Sequence, residues 1–316
     1  MSAIDLLCQF VDLLGIASGP RRMHFFLSLL IEGALAGAVY ALIALAFVVV
    51  YKASRVINFA LGEWLLLGSL LVAMSVHVLG VGILSAVSLA CVGMFAVALV
   101  FNRLVLQHLI GQPLITILMV TLGVGALFRG LAHLVFSGIP SGIPLPIAPG
   151  PLVIDDLRIP TDKLIAALIA TCFVAFVAWL HHHSRIGVAL RAIADDQQAA
   201  MAAGIDVHRH LLIVWCLAGA VCVVAGTLWT YVSGGGFGTA LVGLKIFPIV
   251  IIGGLDSIPG TIIAAILVGV LESLATGYLD PILGGGCGLL ASYLALIAML
   301  FARPFGLFGR EQVERV

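Results

Sequence analysis

Long runs that are apolar on every side organise this chain, in place of alternating or 3.6-residue patterns with one polar face. They fall at about 25–51, 60–79, 81–101, 114–136, 163–180, 211–232, 244–275 and 289–302. Most reach or approach the roughly 20 residues that a bilayer-crossing helix needs at about 1.5 Å rise per residue. Helices that are apolar all round suit surroundings of lipid and other helices, where backbone polar groups must be satisfied within each segment. The pattern predicts an all-α, polytopic integral membrane protein forming a single transmembrane domain over 1–316. The seventh run is too long for one crossing. "GGLDSIPG" (253–260) interrupts it, and its paired glycines and Pro259 are expected to break the helical ladder so that the chain goes in and comes back. About eight to nine transmembrane or part-spanning helices follow, including one broken helix pair.

Composition narrows the function. Hydrophobic residues make up 62% of the chain and charged ones 9%, as expected of an integral membrane protein. Fifteen basic and fifteen acidic residues cancel, so no global field points to nucleic acid, and membrane lipid is the expected environment. The cysteines (Cys8, Cys91, Cys172, Cys216, Cys222, Cys287) are scattered, mostly inside apolar runs and without a CxxC pair, as expected of small apolar residues. His181, His182 and His183 are consecutive, so they point different ways on a helix and suit a membrane interface better than a metal site. No GxxxxGK[ST] occurs, so the chain has no phosphate loop with which to hydrolyse ATP. No catalytic residue, metal or cofactor is expected.

Orientation follows from the basic residues of alternate loops. Lys52, Arg55, Arg103, Arg185, Arg191, Arg209, Arg303, Arg310 and Arg315 fall on one side, against Arg158 and Lys163 on the other, which makes the first side cytoplasmic. The Pro- and Gly-rich segment 137–162 is then an ordered external loop. Within 1–22, "AIDLLCQFVDLLGIA" (3–17) places Asp5 and Asp12 on one helical face, the pattern of an interfacial amphipathic helix, and no basic leader marks a cleavable signal peptide. Arg21 and Arg22 fall outside by simple alternation.

The longest cytoplasmic segment, 181–210, is not disordered in character. Asp195 or Asp196 can cap a short helix, and Gly204 can end it in the left-handed conformation. Ala199 with Ala203, and Ala200 with Gly204, are four apart, so one side of this helix has almost no side chain. Such a surface suits docking into a cleft on another protein; the same residues also make an ordinary connector of good helix formers.

Here a resemblance enters. "QAAMAAG" (198–204) is similar to the EAAxxxG motif of ABC importer permeases, with Gln198 where that motif usually has glutamate. "YALIALAFVVVYKASRVINFALGE" (40–63), "RIGVALRAIADDQQAAMAAGID" (185–206), "GLKIFPIVIIGGLDSIPGTIIAAILVG" (243–269) and "ARPFGLFG" (302–309) resemble, in order, the branched-chain amino acid ABC transporter permeases of the LivH type. The resemblance implies a coupling helix that meets an ATPase, carried by Arg191, Asp195, Asp196, Gln198, Ala199, Ala200 and Gly204. It also implies two ABC ATPase subunits, a second permease subunit of the LivM type, a periplasmic substrate-binding protein and location in the bacterial inner membrane. The family's NFAHGE reads "NFALGE" here, with Leu61 in place of histidine, and related permeases move urea or short amides, so family membership leaves the cargo open.

The candidate pathway or gate comprises Asn58, Glu63, Lys245, Gly253, Gly254 and Pro259. A carboxylate at mid-membrane costs roughly 2.5–3.5 kcal/mol on insertion scales, so Glu63 should meet a partner, a cavity or the interface; Lys52 and Arg55 are close in sequence. Lys245 matches the lysine of the family's GxKxF pattern and is expected near the outer face, where it either snorkels or meets an amino acid carboxylate arriving from outside. Arg129 and Glu272 are rare intramembrane charges that either face the interior or, lying close to helix ends, snorkel. An ion-coupled secondary transporter, the rival from another class, would need midplane carboxylates and no docking helix.

Overall fold

The computed structural model describes residues 20–54, 56–109, 112–143, 152–154, 157–195, 197–303 and 306–309. The proposed amphipathic start at 3–17, Arg55, Asp196, Arg310 and Arg315 lie outside the described residues. In chain order the helices are α1 (Pro20–Ser54), α2 (Leu61–His77), α3 (Ile83–Phe101), α4 (Leu114–Phe136), α5 (Thr161–His183), α6 (Arg185–Asp195), α7 (Gln197–Ala202), α8 (Val207–Ser233), α9 (Val242–Gly253), α10 (Ile258–Leu283) and α11 (Cys287–Ala302). Beyond Phe101, α3 continues through a π-helical turn at Asn102–Leu106 to Gln107–Leu109, and a 3₁₀ turn at Phe237–Leu241 leads into α9.

Among the described residues six helices are long and apolar enough to cross a bilayer, which makes the chain a multi-pass membrane protein. Three further apolar stretches, Leu61–His77, Phe237–Gly253 and Cys287–Ala302, are shorter than a full crossing, and the expected count of eight to nine is not reached by full-length spans. The external segment adds a small departure from the all-α expectation: strands β1 (Leu152–Ile154) and β2 (Leu157–Ile159) pair antiparallel, with Leu152 opposite Ile159.

Helix α1 is the axis of the bundle, because Val39 through Val50 are all buried. It packs most extensively on α10, which runs antiparallel, and small residues allow their backbones to touch. A methyl group on Gly269 would lie 2.5 Å from the Gly33 carbonyl oxygen, and one on Gly37 would lie 2.7 Å from Ile266 Cα. Aromatic packing fills the space between α2, α3 and α8, where Trp64 and Trp215 lie 5.4 Å apart with Phe101 against both. By contrast α3 and α4 expose Leu84, Leu104, Ile115 and Leu134, side chains suited to hydrocarbon.

The predicted break in the seventh run is present, and of its two expected agents the glycines make it while Pro259 does not. Helix α9 ends at Gly253, Gly254 takes φ +97°, and Ser257 caps α10 by accepting the Gly260 N–H at 3.1 Å. Pro259 does not break the ladder: it sits in the first turn of α10, where the N–H it lacks would have no partner in the helix.

Candidate functional site

Among the described residues ion pairs join helices at Glu32–Lys163, Glu63–Arg129 and Glu272–Lys245, and the last two hold candidate residues. Glu63, in the first turn of α2, pairs with Arg129 of α4. The side chain of Glu63 is 8% exposed and that of Arg129 45%, so the carboxylate is buried while part of the guanidinium stays accessible. Gly125, one turn before Arg129, leaves room for the carboxylate: a methyl there would lie 3.1 Å from Glu63 Oε2. Arg129 therefore reaches inward to a carboxylate, the interior-facing of the two positions the sequence left open. Asn58 stands beside this pair in sequence but acts as a turn former, its Oδ1 accepting the Ala60 N–H at 3.0 Å. Leu61, at the departure from the family's histidine, is buried apolar packing.

The second pair joins Lys245 of α9 to Glu272 of α10, and Tyr40 of α1 completes it. The Tyr40 hydroxyl donates to Glu272 Oε2 at 2.9 Å and accepts from Lys245 Nζ at 3.3 Å. Lys245 is thus held by an interior carboxylate and a phenol, and Glu272 takes the inward-facing of its two expected positions. Tyr40 was missed from sequence; its signal was a lone hydroxyl in an otherwise apolar stretch of α1. The two pairs flank one backbone crossing, since a methyl on Gly243 would lie 2.6 Å from Gly62 Cα.

Lys245 also lines a cavity of about 490 Å³ between the outer end of α8, the Phe237–Leu241 turn, α9 and α11. Trp229, Leu244, Leu289 and Tyr293 give it apolar walls. Thr239 lines it as well; that residue is 2% exposed, and its hydroxyl has no hydrogen-bond partner. Trp229 packs against the Tyr40 ring at 5.7 Å, which ties the cavity wall to the Tyr40–Lys245–Glu272 cluster.

The remaining candidates meet where α5, α6 and α7 follow one another. Helix α6 starts against the end of α5: a methyl on Gly187 would lie 2.0 Å from the His181 carbonyl oxygen. Arg191 donates to the His181 carbonyl at 2.6 Å and to that of His182 at 3.4 Å, satisfying the last carbonyls of α5. Asp195 is the last residue of α6 and so does not open the short helix, which spans Gln197–Ala202 as α7. Gly204 does close it: its φ is +84°, and the Ile205 N–H reaches back to the Ala200 carbonyl at 3.0 Å. Ala200 is buried, whereas Gln198, Ala199, Met201, Ala202, Ala203 and Gly204 are exposed, so part of the small-residue surface is open.

A cleft of about 290 Å³ brings these elements to the helix break. Lys52, His182, Arg191, Asp195, Asp256 and Pro259 line it, with Phe308 from the C-terminal segment. Gly254 is pressed on that segment, since a methyl there would lie 2.7 Å from the Gly309 nitrogen. The candidate pathway residues therefore divide among three places: Asn58 and Glu63 at the start of α2, Lys245 near the start of α9, and Gly253, Gly254 and Pro259 at its inner end. The 12 residues of α9 connect the second place to the third, over about 18 Å.

Residues 29–302 match the sequence profile of the family described as "Branched-chain amino acid transport system / permease component". The "High-affinity branched-chain amino acid transport system permease protein LivH" of Salmonella typhimurium is 26% identical over 314 residues, covering 94% of this chain and 99% of the relative. The BraD permease protein of the same description from Pseudomonas aeruginosa is 27% identical over 311 residues, covering 93% and 99%. Among solved structures, a chain of "PsaBC from Streptococcus pneumoniae in complex with Fab" superposes with a TM-score of 0.49 at 15% identity, covering 94% of this chain and 96% of that one.

Proposed function

The chain belongs to the family of branched-chain amino acid transport permease components, and we propose that it is the transmembrane subunit of an ABC importer for branched-chain amino acids or related small polar solutes in the bacterial inner membrane. The observation that carries this is the family match across nearly the whole helical bundle, residues 29–302. ATP is hydrolysed on two separate ATPase subunits, a periplasmic binding protein delivers the solute, and a LivM-type chain supplies the second permease. The six long helices cross the bilayer and the three shorter apolar ones complete the bundle as part-spanning segments.

The exposed residues of α7 and its Gly204 cap are the surface on which an ATPase docks; Arg191 and Asp195 position that surface. Arg191 locks α6 to the end of α5, so a displacement of α7 moves α6 and the cleft it shares with Asp256 and Pro259. Helix α9 carries that displacement from Gly253 and Gly254 to Lys245. Glu63, paired with Arg129, braces the start of α2 against the start of α9. Coupling of this kind requires that the ATPases contact two arrangements of the cleft unequally, because equal contact would shift neither.

Co-expression with the chromosomal neighbours, purification through this chain and mass spectrometry test the assignment. Recovery of two ATPases and a second permease is expected. A chain that purifies alone and transports leucine alone in liposomes would overturn the assignment in favour of a secondary transporter.

A further inference from the structure

We infer that the cavity beside Lys245 is a binding site for the zwitterionic backbone of an α-amino acid, with Lys245 receiving the carboxylate, Glu272 the ammonium, and the Thr239 hydroxyl donating to the carboxylate. The inference rests on the importer function proposed above and names the place where the solute is held on its way through.

Three independent features converge on it. First, the volume of about 490 Å³ lies within the roughly 300–1,000 Å³ typical of small-molecule sites. Its walls, Trp229, Leu244, Leu289 and Tyr293, suit a branched aliphatic side chain. Second, the Thr239 hydroxyl is buried in that wall without a partner. A buried hydroxyl left unpaired costs about 1–3 kcal/mol, which a ligand oxygen would relieve. Third, Lys245, the cation that lines the cavity, is in contact with one anion, Glu272. A site with no net charge in a membrane interior admits a zwitterion without leaving any charge unbalanced, because each end of the solute takes the place of one protein partner. A solute carrying only the acid or only the amine would leave Glu272 or Lys245 facing a low-dielectric wall alone. Tyr40 steadies the exchange: its hydroxyl contacts both charged groups and its ring packs on Trp229.

The alternative role for such a pair is plain charge neutralisation inside the bundle. The two roles differ in one variant. Replacing a buried ion pair by apolar residues of similar volume is often neutral for stability, so a merely structural pair tolerates Lys245→Met with Glu272→Leu. A binding pair does not.

The test measures uptake of radiolabelled L-leucine into cells expressing the whole transporter, alongside the amount of this chain in the membrane. If the unaltered transporter does not take up leucine, the proposed function fails, and this inference with it. If it does, K245M/E272L is expected to remain at full abundance and to lose about ten- to a hundredfold in initial uptake, the scale of one or two lost charge-assisted hydrogen bonds. Uptake like the parent's would overturn the site while leaving the importer assignment standing. Should the variant not accumulate, thermal unfolding of the purified unaltered complex, free of binding protein, is followed with L-leucine, 4-methylpentanoate and 3-methylbutylamine, which share one side chain and differ in charge. Stabilisation by leucine alone is expected; equal stabilisation by all three, or by none, would overturn the site.

Discussion

Arg129→Met should leave the Glu63 carboxylate buried without its cation. Breaking a buried pair from one side typically costs about 3–5 kcal/mol. Arg129 is 45% exposed, so water and lipid headgroups already offset part of its charge, and we expect about 2–3 kcal/mol here. For a domain of this size that corresponds to a fall in melting temperature of about 4–6 °C, at roughly 2 °C per kcal/mol. Glu63→Gln should cost less, about 1 kcal/mol, because the long arginine stem can carry its freed charge to an interface. The double variant, Glu63→Gln with Arg129→Met, removes both charges and should recover about 1–2 kcal/mol relative to Arg129→Met alone. Melting of the purified chain in nanodiscs, read by tryptophan fluorescence, supplies all four corners of the cycle. Strictly additive losses, with the double variant less stable than either single one, would refute a coupled interior pair. Leucine uptake measured on the same variants separates bracing from a role in the pathway: Glu63→Gln with normal abundance and reduced uptake supports the latter.

Gly204→Trp puts a bulky side chain at φ +84° on the exposed docking surface; it should abolish recovery of the ATPases and leucine uptake while the chain stays folded in the membrane, and unchanged co-purification would sink the docking role. Gly269→Leu should prevent accumulation of folded protein, because its first side-chain carbon would lie 2.5 Å from the Gly33 carbonyl oxygen; in-gel fluorescence of a tagged chain checks this, and normal levels would show that α1 and α10 can separate. Ser257→Ala removes the cap of α10 and should lower stability by about 1 kcal/mol, or roughly 2 °C in melting temperature; an unchanged melt would mean that the cap contributes nothing at the helix break.

Hydrophobic run length alone determined that this is a helical membrane protein, because roughly 20 apolar residues in a row have no other stable home. It also located most of the helices to within a few residues, although α10 runs eight residues past its apolar run, and it located the break between α9 and α10, where Gly254 takes a positive φ. The short helix ending at Gly204 was equally legible, because capping is a local property of a few neighbouring residues. Contacts between helices were not. A helix that is apolar on every side carries no periodic mark of which face meets which neighbour, so the tertiary structure alone brought Glu63 to Arg129, 66 residues away, and Tyr40 to Glu272, 232 residues away. Glycines decide those encounters: Gly33 against Gly269 and Gly62 against Gly243 set close backbone approaches, and the charged side chains nearby find the partners those approaches allow. Sequence distance misled for the same reason, pointing Glu63 toward Lys52 and Arg55 in the segment just before it. The local chemistry of each segment is written in its residues, whereas the pairing of charges across the bundle depends on where backbones without side chains let helices touch.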